Sequence, residues 1–361
     1  MRKISIVFIS FCFCLTAKAQ MPAADSLLDF IATHKKNAAL FLVKNDTVLA
    51  KLNENKVMPL ASTVKMLVAV EFAKQAAAHV LNPAAYVALA DLDKYYLPNT
   101  DGNAHPAWLK YEKSLKHISN DSVRLLDVAR GMMMFSSNAN TEYIMELVGL
   151  DNVKNNIQLL GLQPHTAVYP LVASLFVYQN PKNKSEESIL KGIKKLNDQT
   201  YARLIYDIHK ALTYNPELKA KFRPQDLTPN MQKLWSDRLP ASTVKSYARL
   251  AKTINNRKFF DEQTYAVLSD ILETVMENPA NQKQFLHIGM KGGSTASVLT
   301  KCVYAATKGS ENMHGNHLEL VYFFNDLSLE ENGRLQKWMN AFEYMSLTSN
   351  SFRQKISATI K

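Results

Sequence analysis

The sequence predicts an α+β fold, with an antiparallel sheet built from both chain ends and an all-helical subdomain inserted between them. Three observations lead there. Two β-prone runs around a polar turn come early, within residues 40–50. The apolar period is then mostly helical from about Asn82 to Gln284. Strand-like patterning returns after Phe285, ahead of a closing amphipathic stretch.

The first residues read as an export signal. Arg2 and Lys3 precede an apolar run at 4–15, and Ala17-Lys18-Ala19 has the small-x-small form of a cleavage site. That run is shorter than the roughly 20 residues a membrane-spanning helix needs. The chain is therefore expected to be periplasmic or secreted after cleavage near Ala19, with no stable membrane insertion. The expected layout is a signal over 1–19, a sheet subdomain over about 20–61 and 285–361, and a helical subdomain over about 62–284.

Leu27, Leu28, Phe30 and Ile31 give residues 23–33 helical spacing. Leu40-Phe41-Leu42-Val43 and Thr47-Val48-Leu49-Ala50 flank Lys44-Asn45-Asp46, a hairpin pattern. Residues 60–73 are apolar on nearly every side, the mark of a helix buried all round. Residues 122–134 read as one helix capped near Asn120 or Asp121, and another begins at Asn140. The stretch 180–239 is rich in Lys and Asn and helical in pieces, at 189–196 and 201–212. Ser242-Thr243 caps a helix over 244–254. Residues 297–306 and 317–324 read as strands joined by a polar loop, and 329–344 as the closing helix.

Composition narrows the function classes. Cys12 and Cys14 fall in the signal, so Cys302 is left alone and no internal disulfide is expected. The formal charge of +11 becomes +8 once Arg2, Lys3 and Lys18 are removed. A basic exported chain is drawn to anionic envelope polymers, although Lys-rich solvated helices account for the charge without a partner. No zinc-finger, helix-turn-helix or RNA-recognition pattern is present, so no nucleic-acid partner is expected. His314 and His317 lack a third ligand pattern, and 11 glycines contain no phosphate loop. No metal or other cofactor is expected, and the chain is expected to be a monomer.

The chemistry lies in a Ser-x-x-Lys pair. A serine hydroxyl is a poor nucleophile until a neighbour takes its proton, and positions i and i+3 of a helix share a face. The pattern occurs three times, at Ser62/Lys65, Ser188/Lys191 and Ser242/Lys245. Only Ser62 is followed first by Ser136-Ser137-Asn138 and then by Lys291-Gly292-Gly293. Order along the chain thus selects Ser62.

Ser-x-x-Lys, Ser-x-Asn and Lys-x-Gly in this order resemble the signature of class A β-lactamases and penicillin-binding proteins, the serine D,D-peptidase superfamily. The resemblance runs from about Ala38 to Tyr344, with extra residues near 80–120 and 180–239. It implies a β-lactamase/transpeptidase-like fold. It implies Ser62 as the acylated nucleophile, Lys65 as its base and Ser136 as proton relay to the leaving group. Asn138 would hold the substrate amide and the lysine, and Lys291 would supply positive potential. The backbone N–H groups of Ser62 and Ser294 would form the oxyanion hole, with Gly292, Gly293 and Thr295 lining the substrate.

Two departures bear on the activity. Class A enzymes clear the acyl-enzyme with an ω-loop glutamate, yet residues 163–180 contain no Asp or Glu, and the nearest acids are Asp151 and Glu186. General-base help is worth about 10²–10⁴-fold, so deacylation should be slow. Gly292 stands where the family usually has Thr or Ser, and Ser294 or Thr295 would have to supply that hydroxyl. The expected function is an exported serine hydrolase acting through an acyl-enzyme on a β-lactam or a related amide or ester. A cell-wall D,D-peptidase acting on peptidoglycan peptides or an esterase, either with slow deacylation, or a non-catalytic peptidoglycan-binding protein that keeps the fold, are the alternatives. Tyr95, Tyr96, Trp108 and Tyr111 are either groove aromatics or partly buried ones, the latter being the simpler account.

Overall fold

Alternation of buried and exposed positions gives way to helical spacing several times along the chain, and each change marks an element boundary. The structure, a computed structural model, describes residues 17–180, 184–308 and 315–360. Most of the expected signal (1–16), Lys182 and His314 lie outside the described residues.

Helix α1 (Ala17–Thr33) leads to the hairpin β1 (Ala38–Lys44) and β2 (Thr47–Leu52), then β3 (Met58–Pro59). A 3-10 turn at Ala61–Val64 runs into α2 (Lys65–Ala77). Next come β4 (Tyr86–Ala88), α3 (Leu89–Asp93), α4 (Ala104–Ser114), β5 (Ser122–Arg124), α5 (Leu125–Met134), α6 (Asn138–Val148), α7 (Leu150–Leu159) and α8 (Leu171–Phe176). The Lys-rich stretch holds α9 (Glu186–Lys194), α10 (Asp198–Tyr214), α11 (Pro216–Ala220) and α12 (Pro229–Asp237). After β6 (Ala241–Ser242) follow α13 (Val244–Asn255), α14 (Glu262–Leu272), α15 (Pro279–Gln284), β7 (Phe285–Ser294), β8 (Leu299–Thr307) and β9 (Asn316–Phe324). Helices α16 (Leu329–Thr348) and α17 (Asn350–Thr359) close the chain.

These elements cluster into two units. One contains, among the described residues, 17–63, 157–165 and those from Ala241 onward. Its centre is a five-stranded antiparallel sheet in the order β2-β1-β9-β8-β7, built as expected from both ends of the chain. Strands β1 and β9 are buried along almost their whole length, as strands covered on both faces must be. On one face Leu40, Leu42, Leu320 and Tyr322 meet Leu27, Leu28 and Ile31 of α1 and Leu335 and Phe342 of α16. On the other face lies α13, whose apolar stripe includes Val244, Tyr247, Ala251 and Ile254. Tyr247 meets Phe323 of β9 edge-on, at 5.9 Å between ring centres.

That packing corrects the expected boundary of the helical subdomain at 284. Residues 241–284 belong with the sheet. A helical period shows that α13 has an apolar stripe; it does not show that the stripe lies on strands. The last helix was also missed: α17 adds Phe352 and Ile356 to the core beside Phe342.

The second unit, residues 64–156 and 166–240, is almost entirely helical. Helix α2 buries ten residues, Lys65 and Glu71 among them, as its apolar sequence predicts. The 180–239 stretch packs with residues 169–178 around a core in which Tyr169, Tyr178, Tyr201, Ile205 and Met231 are buried. The expected helix over 122–134 starts later. Ser122–Arg124 is a strand paired with β4, burying only Val123, and the helix begins at Leu125. Asn120 and Asp121, read as caps, both take left-handed backbone angles in the turn that precedes the strand. Asn and Asp tolerate that conformation best among non-glycine residues.

Candidate active site

The expected site residues fall in both units. In the helical unit, Lys65 opens α2 with no exposed surface. Its ammonium donates to the Ser136 carbonyl at 2.7 Å, to Asn138 Oδ1 at 2.8 Å and to Ser136 Oγ at 3.2 Å. Three acceptors match the three protons of a charged lysine. Burial nevertheless pushes Lys65 down to about 7, opposed by the negative charges of Asp101 and Glu142. A lysine in that range is neutral often enough near neutral pH to accept a proton.

The turn that brings Ser136 and Asn138 to Lys65 is locally constrained. Ser136 has a φ of 64°, a left-handed angle that costs a non-glycine residue of order 1–3 kcal/mol. Ser137, fully buried, caps α6 by accepting from the Asn140 N–H. Its hydroxyl donates to Asn140 Oδ1 at 2.8 Å, and Asn140 Nδ2 donates to the Val128 carbonyl. His105 Nδ1 lies 3.0 Å from Ser137 Oγ and 3.1 Å from Asn140 Oδ1. Burial holds His105 below the usual histidine range. The neutral ring thus belongs to the scaffold of the Ser-x-Asn turn, a role its sequence position did not signal.

In the sheet unit, Ser62 lies half-buried in the 3-10 turn at Ala61–Val64. Ala61 before it has a φ of 44°. The turn is fastened to the sheet through Thr300 of β8. Thr300 Oγ1 donates to the Leu60 carbonyl at 2.8 Å and lies 2.8 Å from Thr63 Oγ1. Gly293 completes the fit. A Cβ there would lie 2.4 Å from Ser62 N and 2.7 Å from the Leu60 carbonyl, so any side chain would force the turn or the strand to shift. Strand β7 therefore brings the Gly293 backbone against the nucleophile's turn.

Lys291, two residues earlier on β7, is buried and donates to the Gly292 carbonyl at 2.7 Å. Gly292 pairs with Lys301 of β8. A Cβ on Gly292 would lie 3.2 Å from Lys301 Cδ and 3.9 Å from its Nζ. Lys301 thus fills the space beside this glycine, and its ammonium pairs at 3.3 Å with the buried Glu343. Ser294 Oγ donates to the Thr295 carbonyl and accepts from Gln336. Thr295 Oγ1 accepts from the N–H groups of Ser297 and Val298, which makes it a residue of the β7–β8 turn.

The other two Ser-x-x-Lys pairs build no such site. Ser242 is buried and donates to the Pro164 carbonyl, while Lys245 is exposed. Ser188 and Lys191 are both exposed on α9. The acids named near the missing ω-loop base are elsewhere too. Asp151 is exposed and paired with Lys154, and Glu186 accepts from Thr228. The acid-free stretch instead meets a carboxylate from α6, since the Val172 N–H donates to Glu142 Oε1 at 2.8 Å. Trp108 and Tyr95 are buried, bonded to Glu112 and Thr213 respectively, while Tyr96 and Tyr111 are half-buried. Glu112, His117 and Asp127 have ligand-like spacing, but Trp108 bonds Glu112, and Arg124 holds both oxygens of Asp127.

A family model described as "Beta-lactamase enzyme family" matches residues 22–278. The chain belongs to that family and is a β-lactamase-like hydrolase. A search of curated proteins gave no match. Among solved structures, a mutant of PBP-A in an acyl-enzyme complex with penicillin G superposes with a TM-score of 0.51 at 14% identity, covering 91% of this chain and 96% of the other. A class A β-lactamase representative from Bacteroides cellulosilyticus gives 0.51 at 14%, covering 92% and 99%. A β-lactamase from Chitinophaga pinensis gives 0.51 at 16%, covering 88% and 97%. At these identities the likeness establishes the fold, which is the α+β, β-lactamase-like one the motifs implied.

Proposed function

We propose that this chain is an exported serine hydrolase that forms an acyl-enzyme on Ser62 with a β-lactam or a related amide or ester, and releases the acyl group slowly. The observation that carries the reading is Lys65, a buried lysine pushed down to about 7, one turn after Ser62 and bonded to Ser136 and Asn138. Neutral Lys65 takes the proton of Ser62 Oγ as that oxygen attacks the substrate carbonyl. The oxyanion is held by the backbone N–H groups of Ser62 and Ser294. As the carbonyl re-forms, the C–N or C–O bond breaks and the leaving atom takes a proton through Ser136. Asn138 orients the substrate amide, and Lys291 attracts a substrate carboxylate. Water then cleaves the ester on Ser62.

The slow second half of the cycle follows from residues 163–180, which carry no acid, and from Glu142, whose Oε1 is already committed to Val172. PBP-A, with the same fold, has been captured through a mutant as an acyl-enzyme with penicillin G. Slow release favours a D,D-peptidase or esterase acting on cell-wall peptides over an efficient antibiotic-destroying enzyme. Export with cleavage near Ala19 would leave the α1 residues packed on the sheet core, Met21, Ala23, Ala24 and Leu27 onward, in the mature chain. N-terminal sequencing of the exported protein should read from Gln20.

A fluorescent penicillin should label the wild type covalently and leave Ser62→Ala unlabelled. Intact-mass measurements over time should show an adduct that persists for many turnovers of an ordinary β-lactamase. Labelling that survives in Ser62→Ala would sink the assignment of the nucleophile. Prompt loss of the adduct would refute slow release.

A further inference from the structure

One buried ionisable group near Lys65 has no part in the steps above. Glu142 lies one helical turn beyond Asn138 on α6, on the face that Asn138 presents to Lys65. It has no exposed surface, yet both carboxylate oxygens are engaged from other elements. Oε1 accepts from the Val172 N–H of α8, and Oε2 lies 3.1 Å from His209 Nδ1 of α10. His209 Nε2 lies 3.0 Å from Glu146, which is partly exposed at the surface. An imidazole with a carboxylate on each nitrogen satisfies both only when it carries both protons. Tyr95 stacks on the ring, 5.2 Å between centres.

We propose that Glu142, its charge balanced by His209, is a positioning residue that sets the protonation state of Lys65 and anchors the acid-free segment at Val172. The inference rests on Lys65 being the base of the proposed reaction. The 180–239 stretch then acquires a role, for it contributes His209.

The charged groups facing this cluster are few. Asp101 and Glu142 both favour the charged form of Lys65 against its burial. Burial disfavours the charged form of His209, but Glu142 and Glu146 outweigh it and the group is raised. Tyr95, pushed up to about 12 by burial, stays neutral. Removing the negative charge of Glu142 leaves burial less opposed, so Lys65 loses its proton at lower pH. Removing the positive charge of His209 leaves Glu142 uncompensated, so Lys65 keeps its proton to higher pH. The two substitutions therefore act in opposite directions, which a merely structural role would not produce.

The test is the pH dependence of Ser62 acylation by a fluorescent penicillin in wild type, Glu142→Gln and His209→Asn. The acid limb, near pH 7 in the wild type, should move down in Glu142→Gln and up in His209→Asn. About one pH unit below the wild-type midpoint, the first should label roughly threefold faster and the second roughly threefold slower, the size of a half-unit shift. Shifts in the same direction, or unmoved limbs in folded variants, overturn the proposal. The His209 ring, followed by NMR in Ser62→Ala protein, should titrate above the ordinary histidine range; titration at or below it also overturns the proposal. That measurement needs no acylation and still decides the case where Glu142→Gln fails to fold. A wild type that labels at no pH refutes the acyl-enzyme reading instead.

Discussion

The two places where Lys65 and Ser62 sit are built on different physical principles. Around Lys65 the structure is polar and saturated: a buried ammonium meets three oxygens, and Ser137, Asn140 and His105 bond one another within the turn that carries them. Around Ser62 it is steric: Gly293 lets a strand backbone come within contact of the nucleophile's own N–H, and Thr300 fastens the turn. The first arrangement fixes a protonation state, and the second fixes a geometry. Substitutions in the first should change how acylation depends on pH. Substitutions in the second should change its rate at every pH.

Lys65→Met should have the largest effect, lowering Ser62 acylation by about 10²–10⁴-fold, the usual worth of a general base. It also supplies a linkage test. The folded-state value of about 7 lies below the ordinary 10.5, so between those values the unfolded chain binds more protons. Wild-type stability should therefore rise relative to Lys65→Met as pH increases from about 7 to about 10.5, by on the order of a few kcal/mol, and stay level below 7. Denaturant unfolding of both proteins across that range measures it; a flat difference would mean that Lys65 keeps an ordinary pKa.

Gly293→Ala should come next. Its Cβ forces apart the strand and the Ser62 turn, and loss of one oxyanion donor costs about 10²–10³-fold. The comparison is sharpened if this loss is the same at every pH while the acid limb stays where the wild type has it. A displaced limb would show that the steric and protonic parts of the site are not separable.

How much of this the sequence carries depends on what kind of fact is asked for. Lys65, Ser136 and Asn138, which the structure brings into hydrogen-bond contact, could be picked out together because motif order encodes side-chain identity directly. Gly293 was legible as a residue but not as a necessity, which required the distance to Ser62 N. Glu142 and His209, 67 residues apart, were invisible, since nothing in either segment marks the other as its partner. Lys301 beside Gly292 needed the register of β7 on β8. Residues 241–284 were read correctly as helical and assigned to the wrong unit, because periodicity reports a buried face without naming what covers it. The strand at Ser122–Arg124 has one buried residue, too few to interrupt a helical apolar period.

The smallest effect in the comparison is the one that tests its steric half most gently. Thr300→Val keeps the shape of a fully buried side chain and removes only its hydroxyl. The Leu60 carbonyl and Thr63 Oγ1 each lose a partner at 2.8 Å, and a buried group left unsatisfied costs about 1–3 kcal/mol. Stability should fall by that amount, with acylation slowed by about tenfold or less, because Gly293 still holds β7 against the turn. Denaturant unfolding and penicillin labelling on the same preparation check both numbers. If stability fell and acylation collapsed as far as in Gly293→Ala, hydrogen bonding and not close backbone contact would be what holds Ser62 in place.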